Sequence, residues 1–120
     1  MAQVLIVDDS PTEIHVLTTI LQKQGHEVTV ANNGEEGVEK AKELLPDLIL
    51  MDVVMPGMNG FQATRSISKD PATAHIPVII VTTKDQETDR VWGLRQGAKD
   101  YVTKPVEEAE LVSKIAALLA

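Results

Sequence analysis

The chain is organised around Leu48-Ile49-Leu50-Met51-Asp52, in which four apolar residues run without a break into one carboxylate. An unbroken apolar run of this length is typical of a strand that is buried on both faces of a parallel sheet. A charge inside such a strand would be costly, so we expect Asp52 to lie where the strand leaves the core. In an open α/β sheet this carboxyl edge is where ligands bind. Taken alone, however, Asp52 is better explained as a residue that caps the following loop.

Strand and helix patterns alternate five times along the chain. The predicted strands are residues 4–7, 27–30, 48–51, 77–81 and 100–103. Two helices are predicted to begin after Ser10 and Asn33, and three more to span residues 60–69, 84–96 and 106–119. Such alternation predicts a parallel sheet with helices on both faces, and right-handed crossovers leave few topologies. We therefore expect a flavodoxin-like (βα)5 three-layer sandwich with strand order 2-1-3-4-5, forming a single domain over residues 1–120 without an output domain.

The first helix has a recognisable start signal. Ser10 can cap it, Pro11 suits its first turn, and Glu13 lies three residues after Ser10, which is the spacing of a capping box. We therefore expect the Glu13 side chain to bind the backbone amide of Ser10.

Composition excludes several classes of function. The 120 residues carry a net charge of -7, which argues against nucleic acid as a direct ligand. The absence of cysteine excludes a thiolate metal site, and no apolar stretch suggests a signal peptide or a membrane span. The scattered His15, His26 and His75 are expected at the surface rather than as metal ligands. We expect a cytoplasmic monomer that does not insert into a membrane.

The predicted strand order brings Asp8, Asp9 and Asp52 to one edge of the sheet, because the first and third strands are neighbours. Three crowded carboxylates repel one another and raise one another's pKa values unless a cation lies between them. Carboxylate oxygens without histidine or cysteine suit Mg²⁺, with Mn²⁺ as the alternative. The sequence therefore predicts a magnesium site at this edge.

The fourth and fifth strands deliver further polar groups to the same edge. Thr82 and Thr83 follow the fourth strand, and Lys104 follows the fifth. Thr83 could simply cap the next helix together with Gln86, and Lys104 could be a solvated turn residue. A metal, an amine, a hydroxyl and a nucleophilic carboxylate at one edge are nevertheless the groups that phosphoryl transfer through an acyl phosphate requires.

Over essentially its whole length the chain resembles the receiver domains of two-component response regulators, of the chemotaxis-regulator type. The matching residues are the acidic pair Asp8-Asp9, Asp52 with its tail Met55-Pro56-Gly57, Thr82, Tyr101 and Lys104-Pro105. The resemblance implies that Asp52 accepts a phosphoryl group from a histidine kinase.

The resemblance also implies a role for each residue of the site. Asp9 and Asp52 would bind Mg²⁺ directly, together with the main-chain carbonyl of Val54, while Asp8 would act through water. Lys104 would contact the phosphoryl group, and the bond from Lys104 to Pro105 would be cis, as X–Pro bonds alone readily allow.

The resemblance to receiver domains further implies a conformational switch. We expect Thr82 to donate a hydrogen bond to the phosphoryl group and to shift toward it, so that Tyr101 turns into the vacated space. The fourth helix, the fifth strand and the fifth helix would then present a changed face to a partner. Candidate residues on that face are Arg90, Trp92, Arg95 and Lys99. For Trp92, half-buried packing beside Val91 is an equal alternative.

Three further segments are similar to the small regulators of type IV pilus twitching motility. They are Asn59–Arg65, Thr82–Asp89 and Gln96–Ala98. This similarity implies control of twitching motility or chemotaxis under a chemotaxis-type histidine kinase, either through a downstream target or as a phosphate sink. Enzymatic activity would be limited to Mg²⁺-dependent self-phosphorylation and slow autodephosphorylation.

Three other classes of protein fit the sequence less well. A small Mg²⁺-dependent aspartyl-phosphatase-like hydrolase would need Asp-x-Asp after the first strand, whereas Asp8 and Asp9 are adjacent. A phosphorylation-independent binding module would be expected to lack one of the key residues, and all are present. A nucleotide-binding domain would carry a glycine-rich phosphate loop after the first strand, which this chain lacks.

Overall fold

Five strands alternate with five helices along residues 1–120, all of which the computed structural model describes. The elements are β1 (Gln3–Val7), α1 (Pro11–Lys23), β2 (Glu27–Ala31), α2 (Gly34–Leu44), β3 (Leu48–Met51), α3 (Gly60–Lys69), β4 (Val78–Thr82), α4 (Glu87–Arg95), β5 (Asp100–Thr103) and α5 (Glu108–Leu119). All strands are parallel and lie in the order β2-β1-β3-β4-β5. The predicted fold class and strand order are therefore confirmed. The helices are all too short or too polar to span a lipid bilayer.

Apolar side chains fill both faces of the sheet because successive strand residues point to opposite sides. On one face, alternate residues of four strands pack against α1 and α5, with Leu17, Leu21 and Leu111 fully buried there. On the other face, residues of β1 to β4 pack against α2 and α3 through Ala41 and Ile67, while Ile80 and Tyr101 lie against α4. The long apolar runs of β1, β3 and β4 are thus explained by burial on both sides.

The register of the sheet brings the carboxyl ends of the strands together. Val7 pairs with Met51, and the backbone N–H of Asp52 donates to the carbonyl of Val7 at 2.9 Å. On the other side of β4, the N–H of Lys104 donates to the carbonyl of Thr82 at 2.8 Å. The residues that follow β1, β3, β4 and β5 therefore share one edge.

Two helices begin later than the sequence predicts. Helix α4 starts at Glu87 rather than at Lys84, and it ends at Arg95. The carbonyl of Lys84 accepts a hydrogen bond from the hydroxyl of Tyr101 at 2.7 Å, so this residue is held outside the helix. Helix α5 starts at Glu108 rather than at Val106, and β4 spans Val78–Thr82 rather than residues 77–81.

Of the two hydrogen bonds in the predicted capping box of α1, one forms and the other does not. The hydroxyl of Ser10 accepts from the N–H of Glu13 at 3.4 Å, as expected of a cap. The N–H of Ser10, however, donates to Oδ1 of Asp8 at 2.9 Å instead of to Glu13. The carboxylate of Glu13 is thereby free to point toward Lys104.

Candidate functional site

Three carboxylates meet at the carboxyl edge of the sheet. Asp8 and Asp9 follow β1, Asp52 follows β3, and one oxygen atom from each lies within 4.8 Å of the others. Asp8 and Asp52 are buried, with 1% and 7% of their surfaces exposed, whereas Asp9 is exposed. The cluster is therefore open to solvent on one side and enclosed by the sheet on the other.

Backbone amides fix the orientation of the two buried carboxylates. Oδ1 of Asp8 accepts from the N–H of Ser10 at 2.9 Å, and Oδ1 of Asp52 accepts from the N–H of Val53 at 2.8 Å. The second oxygen of each carboxylate faces Lys104, whose Nζ lies 3.0 Å from Oδ2 of Asp8 and 3.6 Å from Oδ2 of Asp52.

Lys104 is the only cation within ion-pair distance of the cluster, and its side chain is 8% exposed. Its Nζ also lies 3.9 Å from Oε2 of Glu13. One ammonium thus compensates several carboxylates and leaves an excess of negative charge in the pocket.

The environment of Asp52 perturbs its ionisation. Burial raises the pKa of the Asp52 carboxyl group above its ordinary value. The nearby ammonium of Lys104 lowers that pKa, the carboxylate of Asp8 raises it, and the hydrogen bond from the N–H of Val53 and the neighbouring Thr82 hydroxyl lower it. Because the raising effects prevail, the anionic form of Asp52 is costly until another positive charge arrives.

The loop after Asp52 is held against it by a glycine. The N–H of Gly60, the first residue of α3, donates to the carbonyl of Val53 at 3.0 Å. A Cβ atom at position 60 would overlap the carbonyl oxygen of Asp52, so only glycine allows this approach. A reciprocal capping box between Asn59 and Gln62, with bonds of 2.9 and 3.0 Å, fixes the start of α3.

The donor set suits magnesium. The cluster offers carboxylate oxygens from Asp8, Asp9 and Asp52 and contains neither histidine nor cysteine, which matches a small hard cation. Val54, whose main-chain carbonyl is the further predicted ligand, lies in the loop directly after Asp52 and is 57% exposed.

Thr82 and Tyr101 connect this pocket to α4. The buried Thr82 ends β4, and its hydroxyl accepts from the N–H of Lys84 at 3.4 Å. The Tyr101 side chain is only 1% exposed, and its hydroxyl donates to the carbonyl of Lys84. Burial raises the pKa of Tyr101 to about 12, with the carboxylate of Asp89 adding to the effect. The ring of Tyr101 is therefore inward in this structure.

The four predicted partner-face residues do not share one environment. Arg90 is half-buried: its guanidinium lies 5.1 Å from the centre of the Tyr101 ring and donates to the Tyr101 carbonyl at 3.3 Å. Trp92 is 51% exposed and borders a groove beside the loop after Asp52, on the α3 side of α4. Arg95 and Lys99 are exposed.

The sequence alone did not reveal the contacts that Glu13 and Arg90 make with residues of the site. Glu13 was assigned to a helix cap, although its carboxylate faces Lys104. Arg90 was assigned to a partner face, although its guanidinium stacks on Tyr101. Glu13 and Lys104 are far apart in the chain, and Arg90 and Tyr101 belong to different elements, so no local signal could have revealed either contact.

A groove of about 530 Å³ lies between α1 and α5, far from the carboxylate cluster. Its walls are mostly aliphatic, and the side chains of His26 and Asp47 already have backbone partners. Nδ1 of His26 accepts from the N–H of Ala2, and Oδ2 of Asp47 accepts from the N–H of Gln3. This groove therefore offers no converging polar groups for chemistry.

Comparison with known proteins yields a consistent set of similarities. The family model described as the response regulator receiver domain matches residues 4–116. The chain is 63% identical over 120 residues to protein PilH of Pseudomonas aeruginosa, covering 100% of this chain and 99% of PilH. It is 40% identical over 117 residues to the response regulator PleD of Caulobacter vibrioides, covering 98% of this chain but 26% of PleD.

Two solved structures add to this comparison. The Vibrio cholerae chemotaxis protein CheY4 superposes with a TM-score of 0.91 at 31% identity, covering 99% of each chain. The receiver domain of the sensor histidine kinase PA1611 from Pseudomonas aeruginosa gives a TM-score of 0.91 at 31% identity, covering 98% of this chain and 97% of that one. The PA1611 domain has a magnesium ion coordinated in its active-site cleft.

Proposed function

Because the chain belongs to the response regulator receiver domain family, we propose that Asp52 accepts a phosphoryl group from a histidine kinase. The observation that carries this proposal is the meeting of Asp52 with two further carboxylates and with the Lys104 ammonium, 3.6 Å from Oδ2 of Asp52. No other place in the molecule combines a carboxylate nucleophile, a buried cation and the donor set for a metal.

Each residue of the pocket has its own role in phosphoryl transfer. An oxygen of Asp52 attacks phosphorus, the bond from phosphorus to the donor's leaving atom breaks, and an acyl phosphate forms. Lys104 binds a phosphoryl oxygen through its ammonium. Mg²⁺, when bound, neutralises charge on the phosphoryl oxygens, and Mn²⁺ could replace it.

The family resemblance implies which residues would be the metal ligands. Asp9 and Asp52 would hold the ion directly, with the main-chain carbonyl of Val54 as a further ligand. The same resemblance implies that Asp8 would act through water; its Oδ1 accepts from the N–H of Ser10 and its Oδ2 from the ammonium of Lys104.

Phosphorylation is expected to act on the switch pair Thr82 and Tyr101. The hydroxyl of Thr82 donates to the new phosphoryl group, and a hydrogen bond to a charged group contributes about 1.5–3 kcal/mol. This free energy shifts a two-state equilibrium by roughly ten- to a hundredfold. It favours the inward position of Tyr101, and the face formed by α4, β5 and α5 carries the change to a partner.

The similarity to PilH supports a more specific role. We propose that a chemotaxis-type histidine kinase in the cytoplasm phosphorylates this chain, and that the chain takes part in twitching motility or chemotaxis as an output regulator or a phosphate sink. Transfer rates from a panel of phosphorylated histidine kinases would test this role. We expect the fastest transfer from a chemotaxis-type kinase, and equal rates from all kinases would contradict it.

Incubation with Mg²⁺ and acetyl phosphate tests the phosphoacceptor proposal against the hydrolase alternative. A receiver gains the mass of one phosphoryl group per chain, whereas a hydrolase releases many equivalents of acetate without a stable adduct. Asp52→Asn is the control and should gain no mass, because an amide cannot form the acyl phosphate. Rapid turnover that persists in Asp52→Asn would overturn the proposal.

A further inference from the structure

Glu13 occupies a capping-box position but does not complete the box. It lies in the first turn of α1, three residues after Ser10, from where a glutamate normally accepts from the N–H of the cap residue. Oδ1 of Asp8 accepts from that N–H instead, at 2.9 Å. Because departures from a local rule are concentrated at functional sites, the released carboxylate of Glu13 is a candidate for a role in the pocket.

The released carboxylate lies beside Lys104. Its Oε2 is 3.9 Å from Nζ of Lys104, and the side chain of Glu13 is 30% exposed. Asp8 and Asp52, at 3.0 and 3.6 Å, are the other carboxylates within ion-pair distance of this ammonium. Both of them belong to the cluster at the edge of the sheet, whereas Glu13 approaches the ammonium from a helix.

The Lys104 ammonium has a limited number of donors. It carries three N–H groups, and Oδ2 of Asp8 accepts from one of them at 3.0 Å. A phosphoryl group on Asp52 would bring further acceptor oxygens and negative charge to the same ammonium. The attraction that Glu13 exerts on Nζ therefore opposes the movement of this atom from the α1 side toward the phosphoryl oxygens.

We propose that Glu13 is a positioning residue that acts on phosphoryl transfer through Lys104. Its carboxylate competes with the phosphoryl group for the ammonium. Glu13 thereby raises the concentration of phosphodonor at which Asp52 becomes phosphorylated. The inference rests on the proposed function, since it concerns the binding of the phosphoryl group by the same Lys104.

A tie between α1 and the end of β5 is the other role that this contact could have. A partly exposed ion pair at 3.9 Å contributes little to stability. Such a tie would also leave phosphodonor binding unchanged, because Asp8 still holds the ammonium when Glu13 is neutral. The strength of phosphodonor binding therefore separates the two roles.

The dependence of the phosphorylation rate on acetyl phosphate concentration tests the proposal, at Mg²⁺ concentrations that saturate each variant. Glu13→Gln keeps the shape of the side chain and removes its charge. We expect it to lower the half-saturating concentration of acetyl phosphate about two- to fivefold, the range that a partly exposed ion pair supports. The maximal rate should change less, because the nucleophile and the neighbouring aspartates are retained.

Two further variants separate the charge from its position. Glu13→Asp keeps the charge but withdraws it by one methylene group, so its half-saturating concentration should lie between those of the unsubstituted chain and Glu13→Gln. Glu43→Gln is the matched control, since it makes the same change in net charge at an exposed site near the end of α2. It should leave the half-saturating concentration unchanged.

Denaturation in metal-free buffer tests the contact itself without a phosphodonor. The unsubstituted chain, Glu13→Gln, Lys104→Met and the double variant form a double-mutant cycle. In Lys104→Met the Glu13 carboxylate has lost its ammonium partner and faces only other carboxylates. We therefore expect Glu13→Gln to shift the denaturation midpoint further upward in this background than in the presence of Lys104.

An unchanged or higher half-saturating concentration in Glu13→Gln would overturn the inference, as would an equal change in Glu43→Gln. Additive effects in the double-mutant cycle would overturn it too, because Glu13 would then not act through Lys104. If the unsubstituted chain gains no phosphoryl mass, the proposed function fails and the inference fails with it. Normal mass gain with an unchanged concentration dependence in Glu13→Gln removes the inference alone.

Discussion

Lys104 is the residue on which the electrostatics of the pocket depend. Its ammonium lies 3.0 Å from Asp8 and 3.6 Å from Asp52, and all three side chains are largely buried. Removal of one partner from a buried ion pair leaves an uncompensated charge, which is strongly destabilising.

We expect Lys104→Met to lower the free energy of unfolding by about 3 kcal/mol in metal-free buffer. Added Mg²⁺ should restore part of this loss, because a second cation then compensates the carboxylates. Chemical denaturation with and without Mg²⁺ measures both effects. Lys23→Met is the control, since its ion pair with Glu108 is exposed and should contribute less than about 1 kcal/mol. Equal losses in the two variants would contradict this account.

Asp52 should make stability depend on pH in a defined direction. Burial raises the pKa of its carboxyl group in the folded state. A raised carboxyl pKa stabilises the fold at low pH, and this contribution is lost as the pH rises through the folded-state value.

Asp52→Asn should therefore be more stable than the unsubstituted chain at neutral pH without Mg²⁺. The difference should shrink as the pH falls below the ordinary aspartate value of 3.8, where the carboxyl group is protonated in both states. Thermal unfolding of both proteins across this pH range provides the measurement. A difference that grows on acidification would show that the sign is wrong.

At the residue scale, the sequence identifies the groups that end apolar strands. Asp8, Asp52, Thr82 and Lys104 are predictable because each follows a run of buried residues, and strand ends meet at one edge. Glu13 was not predictable, because its contact with Lys104 depends on the relative positions of α1 and β5.

At the element scale, α4 is attached to the sheet through very few side chains. Gly93 is its one buried residue, and a Cβ atom there would lie 2.8 Å from Cδ1 of Ile80 and 3.2 Å from two ring carbons of Tyr101. The close approach of α4 to Tyr101 therefore requires glycine, which costs helix stability.

Gly93→Ala should destabilise the chain by about 1 kcal/mol. Alanine gains up to about 1 kcal/mol in helix propensity, but overpacking costs roughly 1–3 kcal/mol. Ile80→Val removes the Cδ1 atom that the new methyl group meets, so the cost of Gly93→Ala should be smaller in that background. Denaturation of the four proteins in this double-mutant cycle gives the coupling free energy, and additive effects would contradict the close contact.

Element boundaries show what periodicity cannot supply. The predicted bounds of α3 and β5 are confirmed, because Asn59 with Gln62 and the short apolar run before Lys104 are local signals. Helix α4 was predicted too long at both ends. Its start depends on the hydrogen bond from the Tyr101 hydroxyl to the Lys84 carbonyl. This bond joins β5 to the loop before α4, so it leaves no local pattern in the sequence.

At the scale of the whole molecule, the alternation of strands and helices restricts the topology to a few strand orders. Parallel strands need crossover connections, here helices, and these connections are right-handed. This handedness favours the strand order 2-1-3-4-5, which the structure shows. Ion pairs such as Lys23 with Glu108 were not predictable, because they join distant segments.

We propose that this edge of the sheet forms one magnesium-dependent phosphorylation site at Asp52. Borohydride reduces an acyl phosphate of aspartate to homoserine, which peptide mass mapping can locate. After incubation with acetyl phosphate and Mg²⁺, we expect homoserine at position 52, and none when Mg²⁺ is withheld or when Asp9→Asn removes a ligand. Homoserine at position 8 or 9, or modification of position 52 that is indifferent to Mg²⁺ and to Asp9→Asn, would contradict the claim.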